Sequence, residues 1–229
     1  MNWLKDFISL VYPQICMACG ESLFKHEECI CSHCIYYLPK TNFHKEIEND
    51  ISKMFWGRVP LITGAAYYQF KKQSKVQNLL HQLKYKGQKQ VGIKTGSLYG
   101  TELKQEKIYQ DMSVIIPVPL HPNRERKRGY NQSEMFAMGL SQTMEIPYFS
   151  DVLVRTTASE TQTKKSKFKR WENVKSIFEI QNEAVIRNKH ILLVDDVITT
   201  GATIEACAQM LIEVPGVKVS VAAIAYASH

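Results

Sequence analysis

The chain has 229 residues, a net charge of +7 and 45% hydrophobic residues. That length holds one sizeable domain with a small appendage, and the composition is that of an ordinary globular protein. No apolar run reaches membrane-spanning length. Residues 1–13 lack the basic start and small-residue cleavage site of a signal peptide; they predict a short amphipathic helix, and the expected location is cytoplasmic.

The charge is unevenly placed. Residues 71–94 carry seven lysines and no acid, residues 121–130 carry four basic side chains against Glu125, and residues 164–170 carry five basic side chains and no acid. These stretches hold 16 of the 29 basic residues and one of the 22 acidic ones, so the rest of the chain is net negative. Such segregation suggests surfaces for a polyanion. The alternative is the solvated face of lysine-rich helices, above all for residues 71–94.

In chain order the first motif is cysteine. Cys16-x-x-Cys19 and Cys31-x-x-Cys34 stand with eleven residues between them. Each pair offers two thiolates to one side of a metal, and four thiolates make the closed tetrahedral site of structural zinc. A disulfide pairing or an iron–sulfur cluster is the alternative, the disulfide being disfavoured in a reducing compartment. Cys29 is an extra cysteine that could substitute as a ligand. Cys207, on a later helix, reads as buried filler. So short a finger cannot bury a core without its metal. It would serve as a staple packed on the main domain or as a contact for nucleic acid or protein. The expected division is residues 1–44 for the helix and finger and 45–229 for the main domain.

Residues 41–56 read as a linker or helix, and residues 63–70 as a strand. Val76, Leu79, Leu80 and Leu83 have helical spacing, with lysines near the helix end and Gly87 as the stop. A second helix is expected over 91–103. Residues 114–120 read as a buried strand ending at prolines. A basic loop, 121–132, follows and leads into a helix over 133–144. Residues 164–170 could form a flap over a site or an ordinary surface loop. Residues 217–226 read as the last strand.

The stretch 191–203 carries the chemistry. Its aliphatic run, Ile191 to Val194, predicts a buried parallel strand. The acids Asp195 and Asp196 follow, then Thr199, Thr200, Gly201, Ala202 and Thr203, then a helix over 204–212. A turn of small residues at a helix start aims N–H groups and dipole at one spot, which suits a phosphate. Gly201 is expected to let the backbone come close. The carboxylates suit sugar hydroxyls as acceptors. Phosphate and vicinal hydroxyls on one loop describe a ribose 5-phosphate. An ordinary turn with a capping Asp is the bland alternative. No Gly-x-Gly-x-x-Gly follows a strand and no Gly-x-x-x-x-Gly-Lys-Ser/Thr occurs, which argues against a dinucleotide fold and a nucleotide triphosphatase.

At these residues the chain resembles the type I phosphoribosyltransferases, whose signature is an aliphatic strand, two acids and a Thr/Gly-rich turn. The strand end Pro117-x-Pro119, the run from Arg124 through Arg126, Lys127 and Arg128 to Gly129-Tyr130-Asn131-Gln132, then Thr161-Gln162, Arg170, Asn173 and Phe178, together with the finger, resemble the ComF family. That family joins a cysteine zinc finger to a phosphoribosyltransferase-like domain and is associated with natural competence, the uptake of DNA by bacteria. Cys29 and the stretch 156–160 depart from its pattern.

The resemblance implies an α/β fold: a mostly parallel sheet flanked by helices, of the type I phosphoribosyltransferase kind, behind a small zinc-ribbon-like finger. It implies phosphoribosyl pyrophosphate with magnesium as ligand. Asp195 and Asp196 would hold the ribose, and Thr199, Thr200, Gly201, Ala202 and Thr203 the 5-phosphate. Arg126, Lys127 and Arg128 would hold the pyrophosphate, with Tyr85, Thr161, Gln162 and Arg170 as flap or hood residues. A transferase is one reading. The other is a single-stranded DNA-handling module working with competence proteins, in which Tyr67, Tyr68, Tyr85 and Tyr130 stack bases beside the lysines. In that reading the pocket binds a nucleotide or regulator without turnover.

Overall fold

The computed structural model describes residues 13–156 and 177–228. The expected N-terminal helix over 1–13 and the residues Thr161, Gln162, Arg170 and Asn173, with the flap stretch 164–170, lie outside the described residues, apart from Pro13.

Among the described residues the core is one parallel sheet of four strands in the order β1-β6-β5-β2, where β1 is Gly64–Gln69, β2 Val114–Pro117, β5 His190–Ile198 and β6 Lys218–Tyr226. A separate antiparallel pair, β3 (Leu153–Arg155) and β4 (Phe178–Ile180), flanks it. Side chains alternate across the strands, so each face of the sheet buries its own set. Ile115, Leu192, Val194, Ala222 and Ile224 pack on one face. Val114, Ile116, Ile191, Leu193, Val221 and Ala223 pack on the other.

The first face is covered by three helices, α3 (Lys75–Tyr85), α4 (Lys89–Leu103) and α6 (Gln132–Met144). The helix α3 forms where the spacing predicted it: Val76, Leu79, Leu80 and Leu83 are its buried stripe, and Ser74 caps it by accepting from the Gln77 N–H. Helices α4 and α6 touch backbone to backbone. A Cβ added at Gly139 would lie 2.0 Å from the Ile93 carbonyl oxygen, so only glycine fits that crossing. The second face is covered by α2 (Asp50–Met54), the β3–β4 pair and α7 (Ala202–Ile212).

The finger lies on the first face. Its α1 (Ser32–Tyr37) starts at Cys31, and Cys16, Ala18, Cys29, Cys31 and Cys34 share a hydrophobic cluster with Leu79, Tyr67 and Tyr99. Residues leaving the finger pair with the sheet edge, Lys40 bridging Tyr68 in antiparallel sense.

Three expectations are corrected. The basic stretch after β2 is a helix, α5 (Pro122–Arg128), rather than a loop: His121 caps it, Pro122 opens it and the chain leaves at Gly129 in the left-handed region. Arg126, Lys127 and Arg128 fall in its last turn, where they complement the helix dipole. The acidic pair lies within β5 and not after it, because β6 continues to pair as far as Ile198. Tyr67, Tyr68 and Tyr130 are buried, so they offer no stacking surface. The finger and the helices of the first face hide the two β1 tyrosines, and the Tyr130 hydroxyl turns inward to donate to the Leu83 carbonyl.

Candidate functional site at the carboxyl edge of the sheet

The strand β2 stops opposite Val194: Pro117 pairs with Val194, and the Val118 N–H reaches the Val194 carbonyl at 2.8 Å. Beyond that point β5 runs on through residues 195–198 with β6 alone beside it. The chain leaving β2 goes to α6 on the first face, whereas the chain leaving β5 goes to α7 on the second. The divergence opens a crevice beyond the strand ends, the place where open α/β sheets hold ligands.

Asp195 and Asp196 stand at this crevice. The Ser133 hydroxyl donates to Asp195 Oδ1 at 2.9 Å, and the Asp196 N–H donates to the same oxygen at 2.7 Å. Burial pushes the Asp195 carboxyl up to about 7, and the charge of Asp196 adds to the shift. Asp196 pairs with Lys84, Nζ lying 2.9 Å from Oδ1. Ser133 is placed by its helix start: the Asn131 side chain accepts from the Ser133 N–H and donates to the Val118 carbonyl at 2.9 Å, fixing the start of α6 to the end of β2.

The turn after β5 exposes Thr199 and Thr200, and Ala202 and Thr203 are exposed at the start of α7. Gly201 is the N-cap residue of α7, with φ +74°, and no side chain among the described residues caps the helix. Its first N–H groups are therefore left for water or an anion. Gly201 does not face the open side as expected. A Cβ there would meet the Phe55 ring at 2.8 Å and Met54 Sδ at 3.0 Å, so glycine is required for its backbone angle and for packing against α2. Arg58 holds the same turn: it donates to the Thr200 carbonyl at 3.3 Å and pairs with Glu205 on α7.

Arg126 and Lys127 are exposed on α5, while Arg128 donates to Gln132 and lies over the Tyr85 ring, 5.4 Å from its centroid. Tyr85 is 65% exposed, the one member of the expected aromatic set at the surface. The structure thus brings α5, the end of α3 and the acidic pair together through Tyr85, Lys84 and Asp196. Sequence reasoning missed Lys84, Ser133 and Arg58. Ser133 carried a signal, a hydroxyl just after the helix-capping Asn131. Lys84 and Arg58 carried none, since their partners are more than a hundred residues away in the chain.

The cysteines form a second site. The Sγ atoms of Cys16, Cys19, Cys31 and Cys34 all lie within 4.8 Å of one another, and this group could hold a metal ion. Cys19 and Cys31 Sγ are 3.8 Å apart, and tetrahedral sulfurs at zinc-bond length stand about 3.8 Å apart. The donor set therefore fits zinc. Burial raises the Cys16 thiol, but N–H groups of Cys31, Cys19 and Ala18 outweigh it and bring it to about 7. Cys29 is not in the group. It faces the Gln90 carbonyl at 3.6 Å, and burial pushes it up to about 11. Cys207 is fully buried and burial holds it as a thiol.

Residues 131–229 match the phosphoribosyl transferase domain family. The DNA utilization protein YhgH of Escherichia coli K12 is 29% identical over 209 residues, 90% of this chain and 87% of that protein. The competence protein ComFC of Bacillus subtilis is 36% identical over 108 residues, 47% of this chain and 42% of that one. Among solved structures, the glutamine phosphoribosylpyrophosphate amidotransferase of B. subtilis in complex with ADP and GMP is similar at 24% identity and a TM-score of 0.40, over 57% of this chain and 26% of that one, so the chain spans about a quarter of its length. Among the described residues no helix is long and apolar enough to cross a membrane. With a match to the phosphoribosyl transferase domain in its carboxyl-terminal part, four gathered cysteines near its start, and competence and DNA utilization proteins among the proteins it is similar to, the chain resembles the ComF family.

Proposed function

We propose that the crevice binds phosphoribosyl pyrophosphate with magnesium. The observation that carries this reading is the juxtaposition of an acidic pair with the uncapped start of α7 at the point where β2 and β5 part. Asp195 and Asp196 accept from the ribose hydroxyls. The N–H groups and hydroxyls of Thr199, Thr200, Gly201, Ala202 and Thr203 take the 5-phosphate. Arg126, Lys127 and Arg128, on a helix leaving the neighbouring strand, take the pyrophosphate by charge-assisted hydrogen bonds. Magnesium would accompany the pyrophosphate, neutralising its charge while keeping several waters.

If ribosyl phosphate is transferred, positive charge develops on the sugar ring as the pyrophosphate leaves. The carboxylate of Asp196 and the ionised fraction of Asp195 stabilise it. No side chain in the crevice has to remove a proton for that step. Tyr85 is exposed at the rim, where it can cover the sugar or an acceptor base; Thr161, Gln162 and Arg170 remain proposed partners in that cover. Zinc in residues 1–44 would hold the finger closed on α3 of the domain at 45–229, and reduced thiols there fit a cytoplasmic protein. Titration with phosphoribosyl pyrophosphate and Mg²⁺, followed by assay of pyrophosphate release with candidate bases, tests binding and turnover in turn. Heat without pyrophosphate release supports a binding role without transfer.

A second reading, single-stranded DNA binding, is favoured by a different set of aromatics from the expected one. Phe24, Tyr36 and Tyr37 on the finger are 72%, 76% and 68% exposed. Phe24 and His26 border a hollow of about 690 Å³ that Lys75 also lines. Bases could stack there while Lys71, Lys72 and Lys75 meet phosphates. Replacing Tyr36 and Tyr37 by Ala should weaken single-stranded DNA binding for all sequences alike, and Lys→Ala changes at 71, 72 and 75 should flatten its salt dependence. Undetectable binding at low salt by the wild-type protein rules this reading out.

A further inference from the structure

We infer that Lys84 is a switching ligand of the crevice: it neutralises Asp196 while the crevice is empty and moves to the pyrophosphate when phosphoribosyl pyrophosphate binds. The inference rests on the proposed ligand and adds to it a residue, a direction of movement and a means of telling that ligand from its product-like fragment.

Lys84 lies in the last turn of α3, and its ammonium is 2.9 Å from Asp196 Oδ1. The Asp195 carboxyl lies beside Asp196, and the two charges repel. The lysine therefore supplies the positive charge that lets an acidic pair persist in a half-buried place. A ribose whose hydroxyls engage Asp196 must compete with that ammonium for the same carboxylate oxygens. The ammonium then needs another anion nearby, or its desolvation goes uncompensated.

The structure limits where Lys84 can go. The backbone around it is fastened to the basic helix side of the crevice: the Leu83 carbonyl accepts from the Tyr130 hydroxyl, and the Tyr85 ring lies under Arg128. Arg128 belongs to the set proposed for the pyrophosphate. Lys84 thus stands with the acidic pair on one side and the pyrophosphate-binding cations on the other. A lysine side chain has four rotatable carbons and three donors, so it can exchange one anion for the other without moving α3.

A ligand lacking the pyrophosphate gives a distinct outcome. Ribose 5-phosphate offers the hydroxyls and the 5-phosphate but nothing for the displaced ammonium. The test is calorimetric titration of wild type, Lys84→Met and Lys84→Arg with phosphoribosyl pyrophosphate plus Mg²⁺ and with ribose 5-phosphate. Lys84→Met should lose roughly 10- to 150-fold in affinity for phosphoribosyl pyrophosphate, the range of a lost charge-assisted hydrogen bond. It should lose little for ribose 5-phosphate, and Lys84→Arg should recover most of the difference. A check without any variant is lysine acetylation of wild type read by mass spectrometry. Ribose 5-phosphate should make Lys84 more reactive and phosphoribosyl pyrophosphate should protect it. Equal losses for both ligands, or protection of Lys84 by both, would show a lysine that only orders Asp196, and would overturn the inference while leaving the proposed ligand standing. Failure of wild type to bind either ligand overturns both.

Discussion

Replacing Asp195 by Asn should stabilise the protein at alkaline pH. The Asp195 carboxyl sits among Ser133, Asp196 and the buried Cys207, and burial raises it from its ordinary 3.8 to about 7. The folded protein therefore keeps a proton that the unfolded chain has already released. Between about pH 4 and 7 the native state binds more protons than the unfolded one, so stability falls as pH rises through that window and levels off above it. The shift spans about three pH units at about 1.4 kcal/mol each, which bounds the effect at about 4 kcal/mol. Asparagine never ionises and can still accept from Ser133 and the Asp196 N–H. At about 2–4 °C per kcal/mol for a chain of this size, Asp195→Asn should melt at most about 8–16 °C above wild type at pH 8, and the gain should shrink towards pH 5. Thermal denaturation of both proteins across that range, with ligand absent, is the assay. Titrating groups away from Asp195 are shared and cancel in the difference. A variant no more stable than wild type at pH 8, or a gain independent of pH, would refute the claim that the crevice holds a carboxyl in an unfavourable charge state.

Cys16→Ser or Cys34→Ser should abolish stoichiometric zinc in the purified protein, whereas Cys29→Ser should keep it; elemental analysis decides, and the reverse pattern would put Cys29 in the ligand set. Because the finger shares a hydrophobic cluster with α3 and α4, the two ligand variants should also melt earlier as a whole. Gly201→Val should fail by destabilisation, since a left-handed valine meeting Phe55 combines backbone strain with overpacking, each about 1–3 kcal/mol; a melt at the wild-type temperature would contradict the packing described here.

How far the sequence could be read depended on the range of the interactions involved. Strand β5, its acidic pair and the following helix were legible because the aliphatic run, the acids and the small residues are contiguous. The gathering of the four cysteines was legible from their spacing, and α3 from its stripe. Three features were not. Asp195 and Asp196 lie within the strand because β6 pairs beyond the end of β2, which is a property of strand lengths elsewhere. Tyr67 and Tyr68 read as surface aromatics beside the lysines, but both lie in the cluster formed by the finger and the helices of the first face, their rings 4.2 Å apart, and both are buried. Gly201 reads as a phosphate-approach glycine until Phe55, far away in the chain, is found against it.

The most direct measurement is the titration of wild type and Asp196→Asn with phosphoribosyl pyrophosphate and Mg²⁺, with thermal melts to confirm that both are folded. Wild type should bind saturably at one site per chain. Asp196→Asn keeps the shape, loses the charged acceptor for the ribose hydroxyls, and should bind roughly 10- to 150-fold more weakly. Saturable binding with unchanged affinity in a folded Asp196→Asn protein, or no binding by wild type, would contradict a sugar-phosphate site at the end of β5.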